Sequence, residues 1–242
     1  MKSKKNLIIL SLFAYFCCVF SIIVSGGGIF FMTSGKDKKK DDDPSPSDTP
    51  SPSDTPSPSK QYTLRSANTN FDENGEGKVY YLDRHDVSCN KDGLNRFQLK
   101  NDYTDDTNHT MAYEFGCLTG LGITETTEKE TTLDVDGDPP HTVYLDRHTV
   151  DCVNKPITQF KLGRNSDGDK IQYKYQCGNT TASSSCRDVT TGYDDQGAGN
   201  VIYLDRHAVK CNEGEYLSKF RLDVDDNDTL GKYRYEYKCC KP

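Results

Sequence analysis

Three copies of one run, Tyr-Leu-Asp-Arg-His, carry residue types from which sites are built. They are Tyr81, Asp83, Arg84 and His85; Tyr144, Asp146, Arg147 and His148; and Tyr203, Asp205, Arg206 and His207. An Asp two residues before a His could offer a metal a carboxylate and an imidazole. It could equally help to form a site for a ligand. In an extended strand, Tyr, Asp and His, with the following Val and Cys, share one face, and Leu and Arg take the other. For the first copy this puts Tyr81, Asp83, His85, Val87 and Cys89 on an inward face, and three such Asp–His pairs would surround a pseudo-threefold axis. The competing reading is structural: Asp and Arg satisfy backbone groups at a strand bend, with His packed beside them. Identical retention in three copies favours the structural reading, because a catalyst needs one tuned site whereas every module needs its own folding residues. Three equivalent ligand pockets would explain the retention as well, which sustains a lectin-like alternative.

The cysteines follow the same rhythm. Eight lie beyond residue 60: Cys89, Cys117, Cys152, Cys177, Cys186, Cys211, Cys239 and Cys240. One follows each signature run and one closes each repeat, so repeat symmetry pairs Cys89–Cys117, Cys152–Cys177 and Cys211–Cys239. Cys186–Cys240 remains to tie the third copy shut. No Cys-x-x-Cys pair exists, so zinc is not expected. Acidic loops at Asp102, Asp105 and Asp106, at Asp167 and Asp169, and at Asp223, Asp225, Asp226 and Asp228 hold the oxygen ligands that calcium takes. Asp, Asn and Gly are also the ordinary stuff of turns. The expectation is therefore no cofactor, with calcium as the minor alternative. Three N-glycosylation sequons begin at Asn108, Asn179 and Asn227.

Catalytic signatures are missing throughout: there is no G-x-S-x-G elbow, H-E-x-x-H helix, phosphate loop or dinucleotide-binding glycine pattern. The chain is not expected to be an enzyme. The 242 residues carry a formal net charge of −7, and residues 61–242 account for −9 of it. Nucleic-acid binding needs clustered cations, so it is not expected either.

These residues must be positioned by a repeated β structure. VYYLDRHDVSC (79–89), TVYLDRHTVDC (142–152) and VIYLDRHAVKC (201–211) are each followed by LNRFQL (94–99), ITQFKL (157–162) or LSKFRL (217–222). Each copy then ends in a Tyr/Phe alternation closed by Cys: AYEFGC (112–117), QYKYQC (172–177) and YRYEYKC (233–239). Period-two alternation between short turns predicts all-β structure, with three or four antiparallel strands in each of three pseudo-symmetric repeats. Repeats of about 60 residues are too small to stand alone without staples, so closure of the three against one another is expected. The predicted repeats are 61–117, 118–177 and 178–242.

Upstream, residues 6–35 contain no charge and have a Leu/Ile/Val/Phe-dense core at 7–23. A membrane span needs about 20 apolar residues, whereas a signal-peptide core has about 7–15. An uncleaved transmembrane signal anchor is predicted after a short tail (1–5), with cleavage after the small residues Ser25 and Gly26 as the alternative. Residues 36–60 add a charged Pro/Ser/Asp/Thr-rich stalk, which is unable to bury apolar area and inclined to polyproline II. Cysteines and sequons together place the C-terminal part in an extracellular or lumenal space, a type II topology. Cleavage would make the protein secreted, and a viral envelope or virion surface satisfies the same constraints.

The order Cys, L-x-x-F-x-L strand, polar loop and closing strand ending in Cys, three times over, resembles vitelline membrane outer layer protein. The ending YRYEYKCC (233–240) is similar in rhythm to dermatopontin-like matrix proteins. The first resemblance implies a β-prism of three Greek-key sheets, and the two together imply matrix structure or glycan contact. The function expected is a membrane-anchored structural or interaction ectodomain that meets glycans or other surface or matrix proteins. The alternative is a carbohydrate-binding module that stacks sugars on Tyr81, Tyr144 and Tyr203, with or without calcium.

Overall fold

Alternating Phe, Leu and Tyr build the longest strands, because period two buries one face of a sheet. In the computed structural model, which describes residues 60–102, 109–137, 140–180, 185–225 and 231–242, the first repeat contributes five strands. They are β1 (Thr63–Asn68), β2 (Asp72–Glu73), β3 (Val87–Ser88), β4 (Gly93–Asp102) and β5 (Thr110–Thr119). The second contributes β6 (Thr126–Glu130), β7 (Asp134–Val135), β8 (Val150–Asp151), β9 (Ile157–Arg164) and β10 (Lys170–Gly178). The third contributes β11 (Ser185–Thr190), β12 (Asp194–Asp195), β13 (Val209–Lys210), β14 (Tyr216–Val224) and β15 (Lys232–Lys241). The predicted anchor (6–35) and all but the last residue of the predicted stalk (36–60) lie outside the described residues. Among the described residues, no helix is long and apolar enough to cross a membrane.

The strands form three antiparallel sheets of five. Each is a long hairpin, β4–β5, β9–β10 or β14–β15, flanked by the two strands that open the same repeat. Its fifth strand comes from elsewhere: β3 pairs with β9, β8 with β14 and β13 with β4. The repeats thus exchange a two-residue strand around a closed ring. The all-β expectation holds, but each repeat supplies five strands where three or four are expected, because the two-residue strands carry no alternation of their own. One strand per sheet comes from the preceding repeat.

A bulge pins each exchange. Asn95, Thr158 and Ser218 are the extra residues at the register shifts of the long hairpins, and each is 2% exposed or less. Their carbonyls, freed from the ladder, accept the N–H of Cys211 (3.0 Å), Cys89 (2.8 Å) and Cys152 (2.9 Å) respectively. A buried carbonyl left unpaired would cost about 1–3 kcal/mol, so the bulge and the incoming Cys need each other.

The inward faces meet on the pseudo-threefold axis. Phe97, Phe160 and Phe220 form a triangle with ring centroids 4.9–5.0 Å apart. Around it Tyr113 lies edge-on to Phe160, Tyr173 to Phe220 and Tyr235 to Phe97, at 5.5–5.6 Å. Offset and edge-to-face pairs of this kind add about 0.5–1.5 kcal/mol each beyond area burial. At one end of the axis the equivalent residues Gly93, Pro156 and Tyr216 converge. A Cβ on Gly93 would overlap the Leu121 side chain and come to 3.0 Å from the Pro156 Cβ and 3.3 Å from the Tyr216 Cβ, so glycine is what fits at this convergence.

Four disulfides join Cys89–Cys117, Cys152–Cys177, Cys211–Cys239 and Cys186–Cys240, the same pairs that repeat symmetry predicts. With separations of 25–54 residues, each is worth about 3–4 kcal/mol in the chain-entropy view. The signature runs overturn a sequence expectation. Residues 79–84, 142–147 and 201–206 are 3-10 helices, not strands, and they bury Leu82, Leu145 and Leu204 at 1% exposure. Leu therefore points inward, while Tyr and Asp sit half-exposed at the surface. At three residues per turn Val79, Leu82 and His85 stack on one face, and burial of that face decides the conformation.

Truncating the central triangle tests this account. Phe160→Ala should destabilise the fold by about 3–5 kcal/mol through cavity formation, read as a lowered urea midpoint with an unchanged slope.

Candidate functional site

Each signature residue has a defined task. The Tyr81, Tyr144 and Tyr203 rings pack on Gly75, Gly137 and Gly197, whose φ values are +59°, +90° and +57°. A Cβ there would overlap the ring, so both the backbone conformation and the close approach require glycine. The guanidinium of the following Arg lies over the same ring: Arg84 at 4.2 Å, Arg147 at 4.4 Å and Arg206 at 4.2 Å. Each Arg also reaches back to an Asp in its own repeat: Arg84 to Asp72 (2.7 Å), Arg147 to Asp134 (3.3 Å) and Arg206 to Asp194 (3.0 Å). These contacts hold the three Asp carboxyls below the ordinary range. For Asp72 the hydrogen bond from Arg84 dominates; for Asp134 and Asp194 the largest cause is the backbone N–H of the next residue.

The signature Asp turns outward from its repeat. Asp83 accepts from Arg164 of β9 at 2.8 Å, and Asp205 accepts from Asn101 of β4 at 2.9 Å. Asp146 raises the pKa of Arg221 on β14, after the larger effects of Glu236 and Asp223. Each Asp thus faces the long strand of the sheet that receives its repeat's exchanged strand. Asp and His are not brought together as a pair: the Asp is at the surface and the His is inside.

The histidines sit where the chain leaves its own repeat. His85 and His148 are 1% exposed and His207 is 2% exposed. The Nδ1 of each shares a hydrogen bond with a hydroxyl of the same repeat: Thr69 (3.1 Å), Thr131 (3.0 Å) and Thr191 (3.3 Å). Those hydroxyls also accept the N–H of Tyr113, Tyr173 and Tyr235, each at 2.9 Å. Nε2 of all three rings is sealed inside without a hydrogen bond. Burial is the main cause of a lowered pKa at each His. The carboxylates of Asp72 and Asp83, Asp134, and Asp194 and Asp205 oppose it, and Arg84, Arg147 and Arg206 reinforce it.

The remaining predicted ligands are accounted for in part. Cys211, Glu215 and Cys239 bring ligand-type atoms within 4.8 Å of one another. The two sulfurs are consumed in a disulfide, and Glu215 takes Arg187 at 2.7 Å and the Asn212 N–H at 3.0 Å. That set suits a structural ion pair and not a metal. Of the acidic loops, Asp223 is held by Arg221, Arg234 and the Tyr193 hydroxyl, and Asp169 by the Asn165 amide. Asp105, Asp106, Asp226 and Asp228 lie outside the described residues, as do Asn108 and Asn227. The third sequon residue, Asn179, directly follows β10 and is half-buried, its side-chain oxygen accepting from Lys155 at 2.7 Å.

Open grooves lie along the strands of two sheets. One, of about 580 Å3, is lined by Ser66, Asn68, Arg96, Gln98, Glu114 and Lys210. The other, also about 580 Å3, is lined by Glu128, Glu130, Gln159, Lys161 and Lys174. Both mix charges of either sign with amides, and Phe97 and Phe115 in the first and Tyr175 in the second add aromatic lining that is itself largely buried. They therefore offer hydrogen bonds to a polar surface over an apolar floor. Sequence reading did not single out these residues, because outward strand positions look like any solvated face.

Compared with family models, curated proteins and solved structures, the chain matches none. What fold and site define together is a disulfide-stabilised all-β module of three strand-exchanged repeats, in which the most repeated polar residues clasp one repeat to the next.

The buried histidines carry a pH signature. Their folded pKa lies below the unfolded value near 6.5, so the unfolded chain binds protons first. Stability is then complete above about pH 6.5 and falls as pH drops below it. The melting temperature should decline between pH 7 and pH 5, and the decline should shrink in His148→Gln relative to the parent. An equal decline in both proteins would show that the histidines do not carry it.

Proposed function

We propose that this chain is a membrane-anchored extracellular or lumenal protein that displays its β module as a structural or interaction head on a Pro/Ser-rich stalk. The observation that carries this reading is the set of four disulfides within one small all-β unit. Bridges of this density persist where thiols are kept oxidised. The anchor and stalk rest on the uncharged run 6–35 and the Pro/Ser tract that follows. The grooves support recognition of a polar macromolecular surface, since they are open and offer area and hydrogen-bonding groups along the strands. The resemblance to vitelline membrane outer layer and dermatopontin-like proteins adds a matrix setting to the proposal.

The carbohydrate-binding alternative loses part of its expected platform. Tyr81, Tyr144 and Tyr203 are half-exposed, but each ring packs on a glycine and has an arginine guanidinium over it, which leaves less face for a sugar.

The topology is tested by enzymatic removal of N-glycans from protein made in a secretory host. A mobility shift that disappears stepwise with Asn108→Gln, Asn179→Gln and Asn227→Gln is expected. No shift, together with eight free thiols beyond residue 60, would place the module in a reducing compartment and end the proposal. A glycan array, run with and without a chelator, should stay blank. Hits that vanish when Tyr81, Tyr144 and Tyr203 are replaced would restore the lectin reading.

A further inference from the structure

One disulfide breaks the threefold pattern. Cys186 on β11 stands directly opposite Cys240 on β15. The equivalent register pairs Leu64 with Leu118 in the first repeat and Thr126 with Gly178 in the second. Those two sheets form without a bridge at this position, so the strand pairing there does not depend on one.

Access singles out the same bond. Cys89, Cys117, Cys152, Cys177, Cys211 and Cys239 are all 2% exposed or less, and Cys240 is fully buried. Cys186 alone among the eight is half-buried, and β11 is the edge strand of its sheet. Its partner Cys240 lies in a separate apolar cluster with Leu118, Leu121, Ile123 and Tyr216. A thiol behaves there as a small apolar side chain, so the reduced state keeps its packing. The six-residue pairing of β11 with β15 remains to hold the two strands, and the Cys211–Cys239 bridge still anchors β15.

We propose that Cys186–Cys240 is a thiol-exchange site, at which a low-molecular-weight thiol is taken up reversibly on Cys186. The incoming thiolate attacks Cys186 Sγ from solvent and forms a mixed disulfide. The bond to Cys240 breaks, and Cys240 leaves as a thiolate that takes up one proton. A second thiolate then attacks the mixed disulfide and releases Cys186 as a thiolate that takes up a second proton, leaving both cysteines as thiols and the two reductant molecules joined as their own disulfide, a two-electron transfer. Attack falls on Cys186 because it sits at the rim of that apolar cluster and is the one residue of the eight that reaches solvent, whereas the other seven are buried. The inference is independent of the membrane anchor and of any surface partner.

The test uses the full-length protein in detergent, exposed to graded glutathione, trapped with N-ethylmaleimide and resolved peptide by peptide, so that Cys17 and Cys18 are read separately. Glutathione should appear on Cys186 and maleimide on Cys240 at least about ten-fold faster than any label on the other six, with near-ultraviolet tyrosine dichroism unchanged. Adducts on Cys240 instead, comparable labelling of the other six, or loss of the dichroism with the first pair would each overturn the proposal. The double variant Cys186→Leu/Cys240→Leu, which copies the first repeat, should fold and lose the fast phase. A fast phase that persists in it, or failure of this variant to fold, counts equally against the proposal.

Discussion

Every sheet of this protein is completed by two residues that belong to another repeat. The hydrogen bond from the N–H of Cys89, Cys152 or Cys211 to a bulge carbonyl across the repeat boundary is the contact on which the rest depends. Without it the bulge would bury an unpaired carbonyl, the exchanged strand would have no register, and the Phe97–Phe160–Phe220 triangle would lose its frame. A unit of about 60 residues buries too little surface to stand alone, and exchange around a ring turns three such units into one cooperative core. The same Cys that donates this hydrogen bond is cross-linked to the closing strand of its own repeat. Each repeat is thus tied internally by sulfur and externally by backbone.

The signature run follows from that constraint. A chain segment must leave its own sheet, cross to the next and arrive in register, and the run Tyr-Leu-Asp-Arg-His performs the crossing in two turns of 3-10 helix. Leu enters the core, Arg and Tyr brace the turn against a glycine, and His fastens the exit to a threonine of the home repeat. Asp83 and Asp205 reach the receiving strand through Arg164 and Asn101, and Asp146 faces Arg221. Retention in triplicate is what a clasp needed three times would show. It also explains why Asp and His, adjacent in spacing, end up on opposite sides of the protein surface.

Departures from threefold symmetry are where individual behaviour resides. The central ring cluster is nearly symmetric, whereas the outward faces differ: two sheets carry open polar grooves, and the third is crossed by the Arg221–Glu236–Arg234–Asp223 ion-pair ladder. The pairs are half-buried on the outward face, with no counterpart ladder among the described residues of the other two sheets, so they mark the third sheet as individual. The fourth disulfide belongs to the same category, an addition to one repeat at a position the other two leave unbridged.

Much of the architecture was legible from residue order. Period-two alternation in LNRFQL, ITQFKL and LSKFRL identified the core strands, and the spacing of the cysteines identified their partners, because repeats that fold alike pair alike. The conformation of the signature run was not. Its Tyr, Asp and His recur at two-residue spacing, which mimics a strand, while Val79, Leu82 and His85 recur at three, which marks a 3-10 turn. Both patterns are present, and sequence offers no arbiter between them; burial of the Leu face against a neighbouring sheet does. Strand exchange was equally hidden, since a two-residue strand has no periodicity of its own. Sequence by itself determined the repeat, the sheet class and the cross-links, which depend on local alternation and counting. Tertiary structure alone decided which repeat completes which sheet and which polar residues face inward, because those depend on what stands across a gap that the chain order does not encode.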